Sequence, residues 1–393
     1  MTPNPLLVAT DAPPIPAAAL WRAGYDGRLG PLIDMAQAVP GLPPPEALLD
    51  RLGAAARRPE TATYGPILGD AGLRQAFADD VRGLYGGDIG PDDIAITAGC
   101  NQAFFVAMLA LAKAGDAVIL PAPWYFNHKM TLDMLGVTAV PLPCRAEDGF
   151  VPAVEDARAL IGAGTRAIVL VSPNNPTGAT YPVAVLEAFQ DLARETGLAL
   201  VLDETYRDFL PEGRARPHAL FESAGWRDTT IQLYSFSKSY AIPGHRLGAM
   251  IADERRLAEI ARILDCMTIC PPRIAQAPVA WAVEGMRGWR AEVRAAVNRR
   301  AALFGDAIAA APGWSVSAIG AYFAYVRHPF AGSAEAAAER LAWQAGIVTL
   351  PGSFFGPGQE DHLRFAFANV EDAEILAVAA RLSEAGPRIT PPR

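Results

Sequence analysis

Three short stretches of the chain are apolar at every position. They are Ala117-Val118-Ile119-Leu120, Ala167-Ile168-Val169-Leu170-Val171 and Leu198-Ala199-Leu200-Val201-Leu202. A strand with one wetted face alternates apolar and polar residues, whereas one that is apolar throughout is buried on both faces. These runs predict strands of a parallel sheet with helices on either side. Helix-length segments separate them from about residue 46 to about residue 285, so the fold class expected is α/β. In such sheets ligands bind beyond the carboxyl ends of the strands, and the polar signals do follow the runs, from Pro121, Ser172 and Asp203 onward.

The pattern changes at both ends. Residues 1–45 are proline-rich, from Thr2-Pro3 to Pro43-Pro44-Pro45, and read as an arm lying over another part of the molecule. Beyond residue 285 an Ala/Arg/Glu-rich stretch predicts a helix over about 286–311. After it come Gly320-Ala321-Tyr322-Phe323-Ala324-Tyr325-Val326, a further helix, Ile347-Val348-Thr349-Leu350-Pro351-Gly352 and Leu363-Arg364-Phe365-Ala366-Phe367. We therefore expect an arm (1–45) that contributes to the small domain, a large domain (46–285) and a smaller α+β C-terminal domain (286–393).

Composition narrows the function classes. The chain has 393 residues, 51% hydrophobic and 19% charged, with a net charge of -8, which argues for a globular protein and against nucleic acid as a partner. Its longest apolar run, Ala103 to Ala112, is too short to span a bilayer, and no basic segment precedes an apolar one at the N-terminus. Four cysteines without a CxxC pair fit free thiols in the cytoplasm. Cys266 and Cys270, four apart, either share a helix face or are simply two small buried residues, and the second is expected. The histidines are scattered with no HExxH, so no metal site is expected.

The candidate chemistry starts at Ser235-Phe236-Ser237-Lys238-Ser239, with Arg246 eight positions after the lysine in Pro243-Gly244-His245-Arg246-Leu247-Gly248. A lysine among small hydroxyl residues with a nearby arginine suits pyridoxal phosphate. The amine takes the cofactor aldehyde, and Ser235, Ser237 and Arg246 reach the phosphate. Leu202-Asp203-Glu204-Thr205-Tyr206 ends a buried strand in a carboxylate, which either pairs with the pyridine nitrogen or caps a helix. Tyr206 is placed for the ring hydroxyl. Asn175, in Ser172-Pro173-Asn174-Asn175-Pro176-Thr177-Gly178, serves either that hydroxyl or only a turn. Thr97-Ala98-Gly99-Cys100-Asn101-Gln102 opens a helix of about 101–114, where free N–H groups and the helix dipole favour phosphate. Cys100 there is either a thiol of lowered pKa or a small residue tolerated because its backbone binds.

Taken together and in this order, these segments resemble the class I/II aminotransferases of the fold-type-I pyridoxal-phosphate family over nearly the whole chain. The resemblance implies a large domain with a mainly parallel, seven-stranded-type sheet. It also implies transamination between an L-amino acid and a 2-oxo acid, by a ping-pong route through a Schiff base on Lys238. Asp203 would partner the pyridine nitrogen, and Asn175 and Tyr206 the ring hydroxyl. Gly99, Cys100, Asn101, Ser235, Ser237 and Arg246 would hold the phosphate. Tyr125, in Pro123-Trp124-Tyr125, would stack on the ring, with Trp124 the alternative one position away.

Tyr64, in Thr63-Tyr64-Gly65, resembles the tyrosine that reaches the partner subunit's cofactor, which implies a homodimer with shared sites. Arg364 resembles the arginine that grips the substrate carboxylate. Ala38, in Gln37-Ala38-Val39-Pro40, replaces a common glycine and narrows the pocket. Asn101 stands where dicarboxylate-specific relatives place a lysine, which disfavours aspartate and glutamate unless Arg22 or Lys129 substitutes. The aromatic run Trp124-Tyr125-Phe126 suits apolar or aromatic side chains. The main rival within this resemblance is a C–S β-lyase, which uses the same cofactor parts.

Overall fold

A computed structural model describes residues 3–385. The strands in chain order are β1 (Ile33–Asp34), β2 (Ile94–Thr97), β3 (Ala117–Ala122), β4 (Thr138–Pro143), β5 (Thr165–Val171), β6 (Ala199–Asp203), β7 (Thr230–Ser235), β8 (Gly248–Ile251), β9 (Ser315–Gly320), β10 (Phe323–Arg327), β11 (Ile347–Val348), β12 (Leu350–Pro351) and β13 (His362–Ala366). Seven of them form one sheet in the order β2-β8-β7-β6-β5-β3-β4. Strands β4, β3, β5, β6 and β7 pair parallel, and β8 runs antiparallel to both its neighbours. The fold class is therefore the expected α/β arrangement.

The continuous apolar runs have a direct structural reading. In β5 and β6, Ala167, Val169, Ala199 and Val201 point to one face and pack with Phe104 and Met108 of the helix Cys100–Leu111 and with Ile260 and Leu264 of the helix Glu254–Thr268. Ile168, Leu170, Leu200 and Leu202 point to the other face, against Leu186, Phe189 and Leu192 of the helix Val183–Thr196. Both halves of the two-residue period are buried, so no alternation survives in the sequence.

Strands β12-β13-β10-β9 form a four-stranded antiparallel sheet. Phe323 and Phe365 of this sheet share a core with Phe304 of the helix Arg287–Ala309 and Ile375 of the helix Asp372–Glu384. The proline-rich N-terminal segment is more ordered than its composition suggests. It forms helices Pro5–Ala9 and Pro14–Arg22, each opening on a proline whose missing N–H would have been unpaired there in any case. It then runs into β1, which pairs parallel with β11.

The expectation for the cysteine pair fails. The helix Glu254–Thr268 ends before Cys270, so the two residues do not share its face. Cys266 is exposed, while Cys270 is half-buried and accepts a hydrogen bond from the Gly65 N–H at 3.4 Å. Among the described residues no helix is long and apolar enough to cross a membrane.

The two sheets meet closely at Gly178, which follows β5, and Gly320, which ends β9. Gly178 has φ +78°, and a Cβ there would overlap the Phe323 carbonyl and lie 2.5 Å from the Gly320 nitrogen. Gly178→Ala therefore meets backbone on one side and left-handed strain on the other. We expect it to lower unfolding free energy by about 2–3 kcal/mol, the upper part of the cost of a strained backbone position, read as a lower urea midpoint. An unchanged midpoint would show that this junction is not tightly packed.

Candidate active site

The carboxyl ends of β2, β3, β5, β6 and β7 open toward one cavity of about 250 Å³, which also takes residues from the arm and from β13. Asp203 ends β6 in register with Val171 of β5 and Leu233 of β7, so neighbouring strands deliver their following residues at one level. Cys100, Asn101, Tyr125, Asn175, Asp203, Tyr206, Ser235, Ser237, Lys238, Arg246, Arg364 and Ala38 all line this space. Gly99 stands just behind, as the N-cap of the helix that starts at Cys100.

Lys238 sits on a single helical turn, Phe236–Ser239, whose first N–H groups are capped by the Ser235 hydroxyl. Its Nζ donates to the Ala38 carbonyl at 2.5 Å. Burial, with Arg364 and Arg246 nearby, pulls the amine down to about 8. Ala38 thus acts through its backbone oxygen as well as its methyl group.

Asp203 is buried, yet its carboxyl stays below the usual carboxylate range. Burial alone would push it up, but His128 Nε2 at 3.2 Å and the Thr205 N–H at 2.9 Å outweigh that. The His128 ring stacks on Phe104 with centroids 3.8 Å apart, which fixes its orientation. The sequence reading missed His128. Its one signal was position, three residues after Tyr125 on the helix Phe126–Leu135, where i and i+3 share a face. Cys100 shows the opposite of a lowered thiol pKa. Burial and then the Asp203 charge push it well up, and these outweigh the Thr205 hydrogen bond and the Arg246 charge.

Opposite charge collects near Gly99. Its φ is +88°, and a Cβ there would overlap the Arg246 guanidinium. Gly248 is equally restricted, since its Cβ would lie 2.7 Å from the Cys100 nitrogen. Arg246 itself adopts φ +52°, and Nη1 donates to the Pro243 carbonyl at 2.9 Å. A guanidinium, two serine hydroxyls and the free N–H groups of a helix start face the same space, a combination suited to a phosphate dianion.

Arg364, on β13, is 2% exposed and makes no ion pair among the described residues. Nη1 donates to Asn175 Oδ1 at 2.9 Å and Nη2 to the Ala36 carbonyl, while Nε has no partner. Burial lowers its pKa to about 10, with nearby phenols opposing. A buried cation without a counter-ion is costly, so this position is built to receive an anion.

Tyr64, expected at the partner subunit's site, and the alternatives Trp124, Arg22 and Lys129 lie outside this cavity. Tyr64 is 76% exposed and outside the cavity. The Trp124 N–H donates to the Phe355 carbonyl at 2.8 Å and its ring lies against Gly356, so Tyr125, and not Trp124, faces the cavity. Arg22 pairs with Asp34, and Lys129 with Asp133 at 2.6 Å; neither lines the cavity. The Tyr125 hydroxyl accepts from Asn127 Nδ2 at 2.9 Å, and burial followed by Asp203 pushes its pKa up to about 12. Ile15, Gln37, Asn127 and Thr205 complete the wall without having been anticipated.

Comparison with known proteins agrees with this geometry. The chain matches the aminotransferase class I and II family over residues 28–382. It is 32% identical to an arginine–pyruvate transaminase of Pseudomonas aeruginosa, covering 81% of this chain and 80% of that one. It is 31% identical to an aspartate/prephenate aminotransferase of Thermus thermophilus, covering 93% and 92%. A solved Thermus thermophilus aspartate aminotransferase, a single mutant, superposes with a TM-score of 0.90 at 27% identity, covering 98% of this chain and all of that one. The chain belongs to the aminotransferase class I and II family, with its fold-type-I architecture, and is an aminotransferase.

Proposed function

We propose that the enzyme transfers an amino group from an L-amino acid with an uncharged side chain to a 2-oxo acid in two half-reactions, with pyridoxal phosphate held in the cavity described above. The observation that carries this reading is the placement of Lys238, Asp203, Arg246 and Arg364 around one cavity of about 250 Å³. The donor set suits the cofactor. Arg246, Ser235, Ser237 and the helix start at Gly99, Cys100 and Asn101 offer donors to the phosphate, in a cradle that a Cβ at Gly99 would fill. Asp203, kept anionic by His128, partners the pyridine nitrogen. Asn175 and Tyr206 serve the ring hydroxyl, Tyr125 the ring face and Lys238 the aldehyde.

When bound, this cofactor supplies an aldehyde that condenses with amines and a ring that accepts the electron pair released at Cα. The protein's part is binding and proton transfer. Arg364 holds the substrate carboxylate with donors its present partners leave free. Lys238 Nζ, neutral at mildly alkaline pH because burial and two arginines disfavour its cation, takes the Cα proton and later returns one.

The uncharged substrate side chain follows from charge. Among the described residues, the Lys and Arg side chains lining the cavity are Lys238, Arg246 and Arg364, each already assigned, and Asp203 is the one carboxylate. Ile15, Phe126, Gln37, Asn101 and Asn127 make the remaining wall neutral.

A homodimer, with Tyr64 reaching the partner's site, is part of the proposal. Tyr64 is open to solvent next to a segment tied to residues 60–65 by Arg273 and Cys270, and Met267, Ile269 and Ile274 of that segment are exposed. Exposed apolar residues grouped in this way suit a surface that a second copy would cover.

Lys238→Ala should abolish multiple turnover, and retained turnover would sink the assignment. Mixing the holoenzyme with single amino acids, with no oxo acid present, should convert the cofactor to its amine form for neutral donors and not for aspartate. Accumulation of pyruvate and ammonia from a cysteine conjugate would instead favour lyase chemistry. Arg364→Ala should raise KM by about 100-fold or more, the loss of two charge-assisted hydrogen bonds. Its unfolding temperature should not fall, because a buried unpaired cation is removed. An unchanged KM for every donor would take Arg364 out of the binding role.

A further inference from the structure

The turn carrying Lys238 lacks the means to hold itself. It is one helical turn long, and isolated turns are not self-supporting. The backbone beyond it is strained, with Ala241 at φ +54° and Arg246 at φ +52°. Such conformations persist only where the surroundings over-determine them. The Ser235 hydroxyl fixes the start of the turn by accepting from the Ser237 N–H. Its end is fixed by Ser239, whose hydroxyl donates to Asp208 Oδ2 at 2.6 Å.

Asp208 gathers donors from separate parts of the fold. Tyr234 of β7 donates to Oδ2 at 2.7 Å, and Arg290 Nη1 of the long helix Arg287–Ala309 donates to Oδ1 at 2.9 Å. Asp208 lies two residues after Tyr206, a wall of the cavity, in the turn Arg207–Phe209. Arg207 and Arg290 both reach a second carboxylate, Asp80, at 2.5 Å and 3.3 Å. The four charged side chains are between 0% and 11% exposed and balance each other. The Arg207 guanidinium is further held over the Tyr234 ring at 4.2 Å. A paired box of this kind has little freedom, because releasing one member leaves a buried charge alone.

We propose that Asp208 is a positioning residue: through Ser239 it holds the Lys238 turn, and the box with Asp80, Arg207 and Arg290 keeps that carboxylate in place. The proposal rests on Lys238 being the reactive lysine. Asp208 does not touch the lysine amine, so its effect is mechanical, setting where Nζ points.

Ser239→Ala cuts the link and leaves the charged box whole. The expected result is a kcat lower by about 10- to 100-fold, the cost of a misplaced reacting group, with KM within about twofold. Amine-reagent labelling of Lys238 in the apoprotein, followed by mass spectrometry across pH, should then move from its midpoint near 8 toward that of an ordinary lysine. The unfolding temperature should stay close to that of the parent, and Ser239→Thr should restore both readouts. Asp208→Asn should give the same signature more strongly. Should that variant fail to fold, Ser239→Ala still decides. A Ser239→Ala enzyme with unchanged Lys238 labelling, or with kcat within about twofold of the parent, would overturn the proposal. Failure of the functional reading would show separately, as turnover surviving in Lys238→Ala.

Discussion

Burial of the central sheet on both faces is the constraint from which the site follows. With Val169 and Val201 packed on one side and Leu170 and Leu202 on the other, no sheet face is left to carry polar chemistry. Reactive side chains are pushed to where the strands stop. Parallel pairing of β3 through β7 then brings those ends to one edge. Residues that are distant in sequence, such as Tyr125, Asn175, Asp203 and Lys238, become neighbours because each follows a strand of the same sense. The second sheet closes the space from above and contributes Arg364 from β13.

Within that edge the electrostatics are deliberately unbalanced. Three cationic side chains line the cavity against one carboxylate; Lys238, Arg364 and Asp203 are largely removed from bulk water, while Arg246 stays exposed. Desolvation acts on each according to its charge: it lowers Lys238 and Arg364 and would raise Asp203 without the help of His128 and Thr205. The contrast with the Asp80–Arg207–Asp208–Arg290 box is instructive. There every charge has a partner, as structural burial requires; at the cavity Arg364 has only neutral ones. A fold that pairs its arginines so thoroughly a short distance away leaves one without a charged partner at the cavity, a position that an anion would stabilise.

How much of this was legible in the sequence depended on range. Strand burial is a local pattern, so β3, β5 and β6 could be read directly, and with them the positions of Asp203 and Asn175. Lys238 and Arg246 were visible because their chemistry needs a recognisable local cluster. His128 was not, since its role comes from a stack on Phe104 and a contact with Asp203, neither of which leaves a spacing in the chain. Asp208 escaped for the same reason; its partners are residues 207, 234, 239 and 290. The burial expected of Cys266 failed because it stands on the outer side of a helix whose buried face is Leu257, Ile260 and Leu264. The two short helices of the arm were not read from its proline content, because each of them opens on a proline.

Backbone carbonyls of the arm connect these observations. Ala36 accepts from Arg364 and Ala38 accepts from Lys238, while β1 just before them pairs with β11 in a two-stranded sheet of their own. The two most desolvated cations of the cavity therefore share acceptors on one short segment. A carbonyl carries only a partial charge, so it satisfies the geometry of these donors without neutralising them. That keeps the amine and the guanidinium ordered, and leaves the guanidinium better served by a true anion. The arm thus does more than cover the site: it pre-orders the groups that must bind, at lower strength than the ligand will. Because the acceptors are main-chain atoms, no side-chain identity in residues 33–40 records this role, and only the folded chain reveals it.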